Sequence, residues 1–198
     1  MNYNHIKPGT LEIYCGPMKS GKTREILHKI DKIKYLENCN FLFIKPNIDT
    51  RESFIKSRFS EMKEQCETVD ENNPNQILSL IKSNLDLLII DEIQFFSEEI
   101  VKVIEKILKT GIHVVVAGLD TDFAGKGFGQ VPQLMTLATH VHKLSGICEY
   151  SGCSNSSIRS QRLIDGKPAG KNDKQVSIEG QNNTYESRCL VHHEVEEE

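Results

Sequence analysis

Over its first two-thirds the chain alternates short apolar runs with longer amphipathic stretches. Leu11 to Cys15 (LEIYC) alternates apolar and polar side chains and predicts a strand. Between Thr23 and Leu36, the residues Ile26, Leu27, Ile30, Ile33 and Leu36 recur at helical spacing. Asn40 to Lys45 (NFLFIK) predicts a buried strand stopped by Pro46, Ile77 to Lys82 a short helix, and Leu85 to Ile90 (LDLLII) another buried strand. Ser97 is the expected N-cap of a further helix, with Glu98 and Glu99 at its positive end. Ile100, Val103, Ile104, Ile107 and Leu108 supply its apolar face, and Gly111 is its stop signal. His113 to Leu119 (HVVVAGL) is again strand-like. Continuously apolar strands alternating with amphipathic helices predict an α/β fold whose parallel sheet is covered on both faces.

The pattern breaks after about Lys143, where the chain becomes poor in apolar runs and rich in Gly, Ser and Asn. Three segments follow: an α/β domain over residues 1–144, a small module over 145–192 that needs a staple to fold, and an acidic tail over 193–198 expected to fray. The chain has 198 residues and a net charge of −4, without the basic excess of a nucleic-acid binder. Its N-terminus lacks the apolar core of a signal peptide, and no apolar run reaches the ~20 residues of a membrane span. The expectation is a cytoplasmic protein with no nucleic-acid or membrane partner. In a reducing compartment, clustered cysteines point to metal ligation rather than disulfides.

Gly16, Pro17, Met18, Lys19, Ser20, Gly21, Lys22 and Thr23 match G-x-x-x-x-G-K-[ST], between a predicted strand and a predicted helix. Glycines let successive N–H groups curl around phosphate oxygens, and the helix N-terminus adds its dipole. Lys22 would reach the β- and γ-phosphates, and the Thr23 hydroxyl would ligate Mg²⁺. The strand ending at Ile90 runs into Asp91 and Glu92, the form of a Walker B segment. Asp91 sits at the strand end where ligands bind in α/β sheets and would hold Mg²⁺ with Thr23. Glu92, diverging from it, can take a proton from an attacking hydroxyl or water. These motifs imply ATP as a substrate; they leave a kinase, a nucleic-acid-dependent ATPase and a nucleotide-binding partner protein open.

Cys148 and Cys153 form C-x4-C, and Cys189 and His192 form C-x2-H, two close pairs that fit tetrahedral Zn²⁺. His193 is an alternative fourth ligand. Cys15, Cys39 and Cys66 stand alone and read as small buried apolar groups.

With these pieces in place, the chain resembles the zinc-containing, cellular and bacterial type of thymidine kinase (type II) over about residues 9–192. The resemblance rests on the phosphate loop, Asp49-Thr50-Arg51, Asp91-Glu92-Ile93-Gln94-Phe95-Phe96, Gly118-Leu119-Asp120 with Phe123 and Phe128-Gly129, Ser160-Gln161-Arg162-Leu163, Val176 to Gly180, and Tyr185 before Cys189. It implies a RecA-like P-loop sheet with a zinc-binding lasso that closes over the base. It implies transfer of the γ-phosphoryl group of ATP to the 5′-hydroxyl of thymidine or deoxyuridine, with Glu92 as the base. Met18, Phe95, Leu119, Phe123 and Phe128 would wall the nucleoside. Ser160, Arg162, Val176, Ile178, Gly180 and Tyr185 would approach it from the lasso. Arg51 is a weaker candidate for charge near the phosphates. The resemblance also implies a homotetramer and feedback inhibition by dTTP. Two departures stand out: C-x4-C replaces the family's usual C-x2-C, and Lys19 stands where the family often has Phe. We read Lys19 as solvated, a phosphate contact being the alternative.

Overall fold

The computed structural model describes residues 8–36, 39–48, 54–56, 63–177, 180 and 182–197. The chain begins with strand β1 (Leu11–Cys15), helix α1 (Lys22–Lys34) and β2 (Phe41–Pro46). A small antiparallel pair follows, β3 (Phe54–Lys56) with β4 (Lys63–Gln65), and then β5 (Glu67–Val69) and α2 (Gln76–Leu80). Next come β6 (Leu87–Ile90), a 3₁₀ turn (Ile93–Phe95), α3 (Glu99–Thr110), β7 (His113–Gly118), α4 (Val131–Leu137) and β8 (His140–Lys143). The second module contributes β9 (Gly146–Ile147), β10 (Ser156–Ser157), β11 (Arg159–Ile164), β12 (Lys167–Pro168) and β13 (Asn183–Arg188).

Six strands form one parallel sheet in the order β5-β2-β6-β7-β1-β8. Strand β7 lies between β1 and the Asp91 strand β6. Every residue of β6 and β7 is buried, as a sheet covered on both faces requires. Side chains alternate between two clusters. Phe43, Leu87, Ile89, Val115 and Ala117 pack with Ile26, Leu27, Ile30 and Ile33 of α1. Ile44, Leu88, Ile90, Val114 and Val116 pack on the opposite face with Ile77, Val131, Leu134 and the α3 residues Ile100, Val103, Ile104 and Ile107.

Helix α3 stops at Gly111, whose φ of 99° and N–H to the Leu108 carbonyl close the C-terminus. Its start corrects the sequence reading. The helix begins at Glu99 with no side-chain cap, and Ser97 contributes its carbonyl to the Ile100 N–H instead. Cys15 is buried, while Cys39 and Cys66 are half-buried against the α1-side cluster. Strands β5 and β8, absent from the sequence reading, take the two edges of the sheet, where short or polar strands suffice. Among the described residues, no helix is long and apolar enough to cross a membrane.

The second module holds two antiparallel sheets, β9–β10 and β12–β11–β13. Within the acidic end, where fraying is the expectation, Glu194 and Glu196 are paired. Gln161 holds the backbone of Glu194 through both its N–H and carbonyl, and Glu196 bridges to Ala169 and Lys171. Backbone pairing with the module outweighs the tail's charge.

Candidate active site

The turn between β1 and α1 carries the G-x-x-x-x-G-K-[ST] motif of residues 16–23. Gly16, Lys19 and Gly21 take positive φ, at 142°, 60° and 90°. A Cβ at Gly16 would lie 2.3 Å from the Leu144 carbonyl oxygen, so the crossing admits only glycine. Helix α1 starts at Gly21 without a side-chain cap, which leaves its first N–H groups suited to an anion. Lys22 is buried and donates to the carbonyls of Gly16 at 3.0 Å and Pro17 at 2.6 Å. Burial lowers its pKa below the ordinary lysine value, against the pull of Glu92, Asp91 and Asp120.

Helix α1 also brings Thr23 to the end of β6, where its hydroxyl donates to Asp91 Oδ2 at 3.1 Å. The other Asp91 oxygen accepts the Glu92 N–H at 2.9 Å. Burial pushes the Asp91 carboxyl up to about 7, and the adjacent charge of Glu92 adds to the rise. A hydroxyl beside a buried carboxylate is the hard-oxygen pair that accompanies Mg²⁺ on a triphosphate, and a bound cation would return that carboxyl to its charged form.

Glu92 has φ 52°, a left-handed conformation that costs a glutamate roughly 1–3 kcal/mol. The chain therefore leaves the strand direction at this residue. Gln94, buried in the following turn, donates to Glu92 Oε2 at 2.6 Å and accepts the Leu119 N–H at 3.1 Å. One amide thus ties the carboxylate to the end of β7. Gly118 makes room for it, since a Cβ there would meet Gln94 Oε1 at 2.6 Å.

The aromatics gather around the same strand ends. Phe95 and Phe128 meet edge to face at 5.8 Å. Phe123 is buried, and the Arg162 guanidinium stacks over it at 5.3 Å. Arg162 also donates to the Lys174 carbonyl at 2.7 Å and to Asn183 Oδ1 at 3.3 Å. Tyr185 donates to the Ser177 carbonyl at 2.8 Å, and Gln175 donates to Asp122 Oδ2 at 2.8 Å. Arg162 and Tyr185 thereby brace residues 174–177 from β11 and β13, and Gln175 ties the segment to Asp122 beyond β7. Val176 and Gly180 are exposed on this segment. Arg51, with Asp49 and Thr50, and Ile178 lie outside the described residues.

Cys148, Cys153, Cys189 and His192 converge, with all donor atoms within 4.8 Å of one another. His192 Nδ1 lies 3.7 Å from Cys148 Sγ and 3.4 Å from Cys189 Sγ. Tetrahedral Zn²⁺ with ordinary bond lengths requires roughly 3.6 Å between such atoms, so the set fits the metal. Although desolvation raises it, the N–H groups of His192 and Val191 bring the Cys189 thiol down to about 6, toward the ligating thiolate. The longer C-x4-C spacing is taken up by a turn in which the Cys153 N–H meets the Tyr150 carbonyl at 2.9 Å. His193 is engaged elsewhere, its Nε2 2.8 Å from the Phe123 carbonyl oxygen.

The family model described as "Thymidine kinase" matches residues 9–193 of this chain. The chain belongs to the thymidine kinase family. A thymidine kinase of Mycoplasma genitalium is 41% identical over 189 residues, which is 94% of this chain and 84% of that protein. Among solved structures, domain III of the Thermotoga maritima replication initiation protein DnaA overlays with a TM-score of 0.39 at 14% identity, covering 72% of this chain and 57% of that one.

The contacts of several side chains at this site were not legible in the sequence. Lys19 stays partly solvent-exposed, as read, and its ammonium is in addition paired with Glu149 at 2.7 Å. Gln94 was visible only as a motif letter, and its bridging role depends on Leu119 being brought alongside by the sheet order. Asp120 is buried and paired with Lys143 at 3.0 Å across strands β7 and β8, which flank β1. Asp122 and Glu149 gave no signal, because an isolated acid in a loop carries no pattern.

Proposed function

We propose that this thymidine kinase moves the γ-phosphoryl group of ATP to the 5′-hydroxyl of thymidine, with Glu92 receiving the hydroxyl proton. The 5′-oxygen attacks the γ-phosphorus, the bond to the β–γ bridging oxygen breaks, and ADP leaves with that electron pair. Residues 16–23 cradle the phosphates, and Lys22 turns from the loop carbonyls to the β- and γ-oxygens. Thr23 and Asp91 would hold Mg²⁺, which supplies neutralising charge for the triphosphate. Met18, Phe95, Leu119, Phe123 and Phe128 wall the base and sugar. Segment 174–180, braced by Arg162 and Tyr185, covers the base, with Ser160, Val176, Ile178 and Gly180 as the expected contacts; Arg51 adds charge near the phosphates. Closure excludes water, which would otherwise take the phosphoryl group.

The observation that carries this reading is the Glu92–Gln94–Leu119 bridge. It ties the Glu92 carboxylate, next in sequence to Asp91, to the strand end that bears the aromatic residues.

The finer assignments are part of the same proposal. Residues 1–144 form the nucleotide domain, 145–192 the lasso stapled by Zn²⁺ at Cys148, Cys153, Cys189 and His192, and 193–198 the acidic end. A cytoplasmic address suits cysteines kept reduced for a metal. Homotetramer assembly would cover the exposed Tyr35 and Leu36 at the end of α1. Inhibition by dTTP would place a product-like nucleotide in the nucleoside site.

The test is an acceptor screen with γ-labelled ATP and the common ribo- and deoxynucleosides. Label should appear on thymidine, with deoxyuridine as the nearest rival. ATP hydrolysis stimulated by nucleic acid, with no labelled nucleoside, would overturn the reading.

A further inference from the structure

The second module grips the phosphate loop at one place. Ser160 and Ser187 are cross-strand partners in β11 and β13, and both are buried. The Ser160 hydroxyl oxygen accepts the Met18 N–H at 3.0 Å, and the Ser187 hydroxyl donates to the Met18 carbonyl. Two hydroxyls from paired strands therefore hold both polar groups of one residue in the loop. The Ser187 N–H donates to Glu149 Oε2 at 2.6 Å, and Glu149 receives the Lys19 ammonium on both oxygens, at 2.7 and 2.9 Å. The contacts close a ring through Met18, Ser187, Glu149 and Lys19.

Lys19 needs such a hold. Its φ of 60° is one a lysine keeps only when its surroundings over-determine it. The grip also reaches the Cys₃His cluster, because Glu149 directly follows Cys148 and Ser187 lies two residues before Cys189.

We propose that Ser160, Ser187 and Glu149 are positioning residues for ATP, a clasp through which the module carrying the cysteine cluster sets the shape of the phosphate loop. The inference rests on residues 16–23 holding the triphosphate. Each donor in the loop must meet a phosphate oxygen within hydrogen-bond tolerance, so a loop that relaxes at Met18 and Lys19 loses ATP. Glu149 acts through Lys19 and the loop backbone. Free Lys19 could instead swing to a phosphate, so the effect of removing the Glu149 charge separates the two roles.

The experiment titrates ATP with Mg²⁺, and separately thymidine, into full-length Glu149→Gln, Ser187→Ala, Lys19→Met and the Lys19→Met/Glu149→Gln double variant by calorimetry. Glu149→Gln should weaken ATP binding about three- to tenfold, as loss of a charge-assisted contact does, and leave thymidine within about twofold. The double variant should be no weaker than the weaker single, because both changes open the same ring. Lys19→Met and Glu149→Gln, both at partly exposed side chains, keep the test alive if the buried Ser187→Ala fails to fold. ATP binding unchanged or tightened in Glu149→Gln overturns the clasp, and so do equal losses for ATP and thymidine in that variant, which a plain structural strut would give. Lys22→Met serves as the reference. If it keeps full ATP affinity, the phosphate-loop reading falls and the clasp with it; if it loses ATP while the clasp variants do not, only the clasp falls.

Discussion

Replacing Glu92 by glutamine removes a proton acceptor and little else. The amide keeps the side-chain length, and its oxygen can still accept the Gln94 N–H that Glu92 Oε2 accepts at 2.6 Å. The left-handed backbone at φ 52° suits glutamine no worse than glutamate. Asp91 loses a like-charged neighbour and Lys22 loses one of its attracting carboxylates, so the phosphate and metal groups stay in place with a modest change in field. What disappears is proton transfer, which contributes about 10²–10⁴ in rate. At about 1.36 kcal/mol per decade that is roughly 2.7–5.4 kcal/mol of barrier. The expected outcome is a fall in kcat of that size, with thymidine and ATP affinities held within about threefold. Single-turnover transfer of label from ATP reads the chemical step, and calorimetric titration of each substrate reads binding. A variant with kcat within about tenfold of the parent would falsify the assignment of the base.

Other consequences follow from the same geometry. The folded chain holds the Asp91 proton up to about pH 7, whereas the unfolded chain releases it near pH 4. The stability tied to that proton is complete below about pH 4 and is lost as pH rises through about 7. In nucleotide- and magnesium-free buffer, Asp91→Asn should therefore melt higher than the parent at about pH 8, with the gap closing toward about pH 4; a gap independent of pH would contradict this. Arg162→Ala removes the cation over Phe123 and the bond to the Lys174 carbonyl, together about 2–4 kcal/mol. The KM for thymidine should rise about tenfold or more with the KM for ATP little changed, and steady-state kinetics showing the reverse split would reject the lasso role. Zinc should be present at about one per chain by atomic absorption, and a chelator should strip hydrogen-exchange protection from residues 145–192 while β1, β6 and β7 keep theirs. Uniform loss across the chain, or none, would count against a metal that staples only the module.

The sequence by itself determined the elements and the chemistry that local spacing encodes. Apolar runs such as Leu87 to Ile90, short and rich in Leu and Ile between turn signals, read as buried strands, and this one is. The phosphate loop is legible because its glycines, Lys22 and Thr23 are contiguous, and the cysteine cluster because its ligands come as two close pairs. What only the tertiary structure decided are the contacts between residues far apart in sequence. The order that slips β7 between β1 and β6 puts Leu119 beside Gln94 and so aims Glu92. His192, not His193, joins the cysteines, because the Phe123 carbonyl takes the second histidine. Lys19 looked like no more than a solvated charge until the second module brought Glu149, 130 residues away, against it. Spacing along the chain specifies periodicity and contiguous motifs, whereas a hydrogen bond across such a separation depends on how the whole sheet and module pack.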